Sequence, residues 1–248
     1  MKKSTPEKSN HDNKLAPIKP VKKGFLPWCW RWLISPFLTL FISFHLLVAI
    51  MLAVWAYFPV SNSMFMISHR LSGGSVTQTW VDYDKIATGV KQAAIASEDA
   101  KFSHHHGFDW QGIEIAAKAN DKKGKISKGG STISQQLAKN LFLYKKRSYI
   151  RKAEEAILTV MIETFWEKRR ILEVYLNVVE FGNGIYGIEA AAQHYYGKSA
   201  KQLNRQQSAR LISMLPNPKF YEKNLQSKRL RNKQTIILGR MNSAVLPQ

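Results

Sequence analysis

The chain has 248 residues, 45% of them hydrophobic, with 37 Lys+Arg against 17 Asp+Glu and a single cysteine. That length suits one catalytic-sized domain with an appendage, or two small domains, and the apolar fraction excludes wholesale disorder. One cysteine excludes a disulfide framework, a Cys-based zinc finger and an iron–sulfur site. A formal charge of +20 calls for an anionic partner, whether nucleic acid, membrane head groups or a phosphorylated substrate.

Residues 1–32 read as a solvated basic tail, holding eight Lys/Arg, two acids and the prolines Pro6, Pro17, Pro20 and Pro27 without helical or strand period. Between Trp32 and His69 there is no Asp, Glu, Lys or Arg, and 37–58 is an almost wholly apolar run of 22 residues. As a helix it would be about 33 Å long, enough to cross a bilayer. A cleavable signal peptide has an apolar region of only about 7–15 residues, so the spacing predicts a retained anchor over 33–58. Trp28, Trp30 and Trp32 at one end and Trp55, Tyr57 and Phe58 at the other suit two interfacial aromatic belts. Thr39, Ser43 and His45 are its polar interruptions. Eight basic residues precede the span, and after it only Arg70 comes before Lys85. The positive-inside tendency then places the N-terminus in the cytoplasm and the rest outside. Cys29 falls on the reducing side, and the exported part has no thiol.

Residues 59–80 read as a juxtamembrane linker, 81–225 as the main domain and 226–248 as a basic C-terminal segment. From 59 onward the chain holds 29 basic and 15 acidic side chains, so the positive charge is more than a topology signal. Apolar residues at three- and four-residue spacing predict helices over 86–100, 110–119, 132–143, 149–166, 168–177, 188–196 and 208–215. Gly129-Gly130, Gly182-Asn183-Gly184, Gly187 and Pro216-Asn217-Pro218 punctuate them. Strand signals are weak apart from 75–83. The expected class is a mostly α domain without internal repeats.

Three constellations could carry chemistry. In the first, a helix of small residues ends in Glu98-Asp99, followed by Phe102, His104-His105-His106 and Gly107. A carboxylate at the edge of an apolar helix can be tuned by desolvation into a general acid or base; a solvated helix end is the alternative. Adjacent histidines on one segment point different ways and no His-x-x-x-His spacing is present, so no metal site is assigned. In the second, Gly129-Gly130 precede Ser131, the candidate cap of a helix on which Ser131, Gln135 and Lys139 share a face with Gln136 and Asn140 beside it. The exposed N–H groups of such a start attract anions, and these side chains could hold a sugar–phosphate. The alternative is an ordinary capped surface helix, and the Gly-x-x-x-x-Gly-Lys-Ser/Thr pattern of an NTP site is absent. In the third, Arg147, Arg151 and Glu155 lie at i, i+4 and i+8, with Lys152 adjacent. Either they form an ion-pair ladder of about 0.3–0.5 kcal/mol per pair, or an arginine fork for phosphate beside a second carboxylate. Spacing alone leaves both open.

Together these segments resemble the peptidoglycan glycosyltransferase family, the transglycosylase module of bifunctional penicillin-binding proteins, from about Trp80 to Tyr221. The motifs are Glu98-Asp99-x-x-Phe102-x-x-His105-x-Gly107-x-Asp109, Gly130-Ser131-Thr132-Ile133-Ser134-Gln135-Gln136-x-x-Lys139-Asn140, Arg151-Lys152-x-x-Glu155, Ile171-Leu172-Glu173-x-Tyr175-Leu176-Asn177 and Gly182-x-Gly184-x-Tyr186-Gly187-Ile188-x-Ala190-Ala191. Ser134 stands where many relatives have Thr, which keeps a hydroxyl. With no room for a transpeptidase after Pro218, the expectation is the monofunctional, membrane-anchored biosynthetic form of Gram-negative bacteria.

The resemblance implies a two-lobed, lysozyme-like α domain behind one transmembrane helix, with a small apolar jaw against the membrane. Residues 110–128, with Trp110, Ile113, Ile115 and a tip of Lys122, Lys123, Lys125 and Lys128, are the candidate for part of that jaw. It implies lipid II and the growing lipid-linked glycan as substrates, β-1,4 bond formation with inversion, and release of undecaprenyl pyrophosphate. Glu98 would be the general base and Glu155 would sit near the donor and its leaving group. Lys139, Arg151 and Lys152 would stabilise pyrophosphate charge, and Ser131, Gln135, Gln136 and Asn140 would position sugar and phosphate. Asp99, Phe102 and His105 would support the Glu98 loop. No cofactor is required, a divalent cation is compatible, and cell-wall synthesis or division proteins are compatible partners. The expected location is the bacterial inner membrane, with the catalytic domain periplasmic. The alternative enzyme is a membrane-anchored lysozyme-like hydrolase or lytic transglycosylase, which has no need of cations converging on a pyrophosphate. A tethered module for nucleic acid or acidic polymer is the other reading; export and the lack of a nucleic-acid motif argue against nucleic acid.

Overall fold

The computed structural model describes residues 32, 34–121, 130–144, 146 and 148–248. Most of the basic tail, with Trp28, Cys29 and Trp30, lies outside the described residues, as do Arg147 and the candidate jaw lysines Lys122, Lys123, Lys125 and Lys128. The chain divides into two compact units, residues 1–47 and 48–248.

Helix α1 (Ser35–Trp55) has a mean hydropathy of 2.5 over its best window and is long and apolar enough to cross a membrane. Phe37, Leu40 and Ile42 are exposed along it. Two of its three polar interruptions turn back on their own backbone: Thr39 Oγ1 donates to the Ser35 carbonyl at 2.9 Å and His45 Nδ1 bonds the Phe41 carbonyl at 2.8 Å. Satisfying polar groups inside the helix is what an apolar surrounding requires.

The second unit is mostly helical. In chain order it holds α2 (Met64–Leu71), β1 (Thr77–Gln78), α3 (Thr88–Glu98), α4 (Trp110–Asp121), α5 (Ile133–Phe142), α6 (Tyr149–Phe165), α7 (Lys168–Val178), β2 (Glu180–Gly182), β3 (Ile185–Tyr186), α8 (Ile188–Tyr196), α9 (Arg205–Met214), α10 (Pro218–Lys223) and α11 (Lys228–Arg240). Helix α5 packs against α6 and α7, while α9 packs against α3 and α11. One core joins both groups, running from Leu137, Leu158, Ile162 and Tyr175 to Ala93, Ile95, Leu211 and Ile237. Helix α3 is short but apolar nearly all round, with Ala93, Ala94, Ile95 and Ala96 buried. Such a helix must lie inside the fold, and its acidic C-terminal end comes out at a fixed place.

The strand expected over 75–83 shrinks to the two residues of β1. Beyond it a side chain replaces a neighbouring strand: Val81 N–H donates to Asn177 Oδ1 at 2.8 Å, and Asn177 Nδ2 returns a bond to the Val81 carbonyl at 2.8 Å. The sheet order is β1-β3-β2, with β1 parallel to β3 and β2 antiparallel to it. The Gly182-Asn183-Gly184 break is the turn of this small hairpin. Gly184 has φ +80°, and a Cβ there would lie 2.1 Å from the Ser75 carbonyl oxygen, so no other residue fits without movement.

The stretch 226–248, set apart in the sequence for its charge, folds into the same unit. Its helix α11 buries Leu230 and Ile237, and Met241 follows them into the core. Within this unit, side chains of the second half of the chain bond carbonyls at the end of α1. Trp166 Nε1 donates to the Leu52 carbonyl at 2.8 Å, and the Arg170 guanidinium donates to those of Trp55 and Phe58.

Candidate active site

Glu98 is the last residue of α3, and its side chain is 14% exposed. Its Oε1 accepts from Ser97 Oγ at 2.7 Å and from Lys233 Nζ at 3.1 Å. Its Oε2 accepts from Gln136 Nε2 on α5 at 3.3 Å. The amide of Gln136 is itself oriented, because the Tyr175 hydroxyl on α7 donates to its Oε1 at 3.2 Å. Burial first, and then the negative charges of Glu98 and Asp99, push the Tyr175 hydroxyl well above its ordinary pKa, so it stays a donor. Lys233 was not singled out from the sequence. Its helix has a narrow apolar stripe, and Lys233 falls three residues after Leu230 and four before Ile237. That spacing puts it on the buried face, which was the signal available.

Asp99 points elsewhere. Its carboxylate accepts from His105 Nε2 at 2.9 and 3.0 Å and from the Ile133 N–H at 3.0 Å. It thereby joins the loop after α3 to the first turn of α5, where the helix dipole favours negative charge. Phe102 is fully buried, with its ring edge-on to His105 and the Lys168 ammonium 4.7 Å from its centroid. His104 and His106 are exposed. Among the described residues, no group of three or more His, Cys, Asp or Glu is placed to hold a metal ion.

Helix α5 starts one residue later than the sequence suggested. Thr132, not Ser131, is the N-cap: its Oγ1 accepts from the Gln135 N–H at 3.2 Å, and Gln135 Oε1 accepts from the Thr132 N–H at 3.0 Å. This is a capping box, and it takes the carbonyl of Gln135, a buried residue expected at the substrate. Thr132 Oγ1 also donates to the Gly107 carbonyl at 2.7 Å, where φ is +86° and a Cβ would meet Thr159 Cγ2 at 2.9 Å. Ser131 stays exposed ahead of the cap, Lys139 is partly buried and Asn140 is buried. Ser134 is absorbed in a network with Glu163, which also takes Lys168 Nζ at 2.7 Å.

The third constellation forms a buried cluster on α6. Arg151 Nη1 donates to Glu155 Oε2 at 2.8 Å, with side chains only 9% and 4% exposed, and Lys152 Nζ pairs with Glu155 Oε1. The ion-pair reading of the i, i+4 spacing therefore holds, but in the interior rather than on a solvated face. It does not use up the arginine: Arg151 Nε is buried without a hydrogen-bond partner among the described residues. A donor left in that state favours an incoming acceptor. The fold thus assembles two carboxylate centres, Glu98 with Gln136, Tyr175 and Lys233, and Glu155 with Arg151 and Lys152, with α5 packed against both α6 and α7.

Comparison with known proteins identifies the family. A family model described as Transglycosylase matches residues 66–242. A curated protein of Acinetobacter baumannii named biosynthetic peptidoglycan transglycosylase is 52% identical over 196 residues, 78% of this chain and 87% of that protein. Proteins with the same name from Dechloromonas aromatica and Nitrosospira multiformis are 47% and 44% identical, covering 88% and 90% of this chain and 98% and 99% of their own lengths.

Proposed function

Because this chain belongs to the transglycosylase family and is a peptidoglycan glycosyltransferase that polymerises glycan, we propose that it extends strands from lipid II with Glu98 as general base. The observation that carries this is the unequal treatment of two carboxylates, Glu155 buried and Glu98 partly buried. Glu155 is neutralised by two cations, whereas Glu98 Oε2 is held only by a long amide bond from Gln136 among the described residues.

Glu98 Oε2 takes the proton from the acceptor 4-hydroxyl as that oxygen attacks the anomeric carbon of the lipid-linked donor. The carbon–oxygen bond to the pyrophosphate breaks on the opposite face, giving inversion and a β-1,4 link. Charge develops on the leaving diphosphate, where Arg151, Lys152 and Lys139 stabilise it, using donors such as Arg151 Nε that Glu155 does not occupy. Gln136 and Asn140 help to place sugar and phosphate, with the exposed Ser131 at the rim and the buried amide nitrogen of Gln135 left over from the capping box. Asp99, Phe102 and His105 hold the loop that follows Glu98.

The substrate's lipid stays in the bilayer, so the cleft must work at the membrane surface. Helix α1 supports that placement, as do the exposed Trp110 and Ile115 on α4 and Ile150 and Val160 on α6. With the N-terminus cytoplasmic, the second unit faces the periplasm from the inner membrane; protease accessibility in intact and opened cells reads that orientation. Incubating the full chain with lipid II, and separately with preformed glycan, tests the reaction. Chain growth from lipid II is the expected result, and cleavage of preformed glycan without growth overturns the reading.

A further inference from the structure

Glu98 is badly placed for a bare anion. It ends α3, where unpaired carbonyls give the helix terminus partial negative charge, and Asp99 follows immediately. Ser97 and Gln136 supply neutral donors. The compensating charge arrives from 135 residues further along the chain, through Lys233 on α11.

We infer that Lys233 is a positioning residue for the general base, fixing Glu98 through Oε1 so that Oε2 faces the acceptor hydroxyl. The inference rests on the assignment of Glu98 as base. Oε1 receives both short donors, Ser97 at 2.7 Å and Lys233 at 3.1 Å, whereas Oε2 receives the Gln136 amide at 3.3 Å. With one oxygen pinned by an ammonium and a hydroxyl, the carboxylate cannot turn about its terminal bond without losing both. The less saturated oxygen becomes the proton acceptor. Lys233 keeps its own protons throughout: the O–H bond breaks at the acceptor, the proton goes to Oε2, and the ammonium stays on Oε1.

The arm that delivers this lysine is held on both sides. Leu230 and Ile237 are buried on the same face of α11. The neighbouring Gln234 accepts from Arg210 Nη1 at 3.2 Å and donates to the Gln206 carbonyl at 3.1 Å, fastening α11 to α9. Side-chain exposure of 28% for Lys233 makes a large contribution to stability unnecessary to the argument, since partly exposed pairs stabilise little.

The test compares wild type, Lys233→Met, Lys233→Arg, Glu98→Gln and the double variant Glu98→Gln/Lys233→Met as full chains in a lipid II polymerisation assay, with thermal unfolding measured alongside. Lys233→Met is expected to lower kcat about tenfold or more, within the range general-base catalysis controls. KM and the unfolding temperature should stay near wild type, and Lys233→Arg should recover most of kcat. In the Glu98→Gln background, Lys233→Met should cost nothing further, because residues that act as a unit are non-additive. A Lys233→Met chain with wild-type kcat, a loss confined to KM, a failure of Arg to rescue, or an added loss in the double variant overturns the inference while wild type still polymerises. A wild-type chain that leaves lipid II unpolymerised overturns the functional reading and the inference with it.

Discussion

The two carboxylate centres are built from opposite logic. Glu155 sits within one helix beside Arg151 and Lys152, so its compensation is local and nearly complete. Glu98 gathers its partners from α3, α5 and α11, and its hold is mixed: one cation, one hydroxyl and one amide. The oxygens of Glu155 are both taken by cations, whereas Glu98 Oε2 meets only a neutral amide among the described residues. On the proposed reading, the first is a charge anchor and the second a base, although both residues are glutamates at low exposure.

The sharpest way to break that comparison is Glu98→Gln. The change is nearly isosteric, so unfolding should stay near wild type while the rate of glycan growth from lipid II falls by about 10²–10⁴-fold. Wild-type polymerisation by this variant would remove the base from Glu98.

Next in size is Arg151→Met. Because it leaves Glu155 buried with only Lys152, it should lower stability by up to about 3 kcal/mol as well as turnover. The pair Arg151→Met with Glu155→Gln should regain much of the stability in a denaturation series but not the turnover. Full recovery of both would reduce the cluster to a structural ion pair.

Tyr175→Phe sharpens the other side. It frees the Gln136 amide to rotate at the cost of one hydrogen bond, about 1 kcal/mol, and kcat should drop about fivefold with little change in unfolding. An unchanged kcat would show that the amide needs no such guide.

The smallest effect is expected at the joint where Asp99 meets α5. Thr132→Ala removes the cap, about 1 kcal/mol, and should lower the unfolding temperature by about 2–4 °C. A larger loss would mean that the bond to Gly107 contributes more than the cap does.

Much of this architecture was legible beforehand. The periodicity of 149–166 and 168–177 located α6 and α7 to within a residue at each end, because long amphipathic runs carry a strong period. The small-residue run before Glu98 marked a buried helix ending in acid. By contrast, α11 was concealed by its charge, since Leu230, Ile237 and Met241 make too thin a stripe among Lys and Arg to announce a helix. The strand at 75–83 was over-read because its β-branched residues pair with the side chain of Asn177 as well as with a strand. The cap of α5 was misplaced by one residue, since Ser131 and Thr132 have the same capping chemistry and only the bond of Thr132 to Gly107 separates them.

The amino-acid sequence by itself determined which segments are apolar enough to be buried or to span a bilayer, and which charges are neighbours on one helix. Those are matters of period and local spacing. Only the tertiary structure decided that Gln135 uses its carbonyl on a cap, that Arg151 donates to Glu155 through Nη1 while its Nε has no partner among the described residues, and that a lysine near the C-terminus reaches Glu98. Hydrogen-bond partners distant in sequence are chosen by how helices pack, and a few ångströms of placement decide whether a polar group meets its partner or solvent.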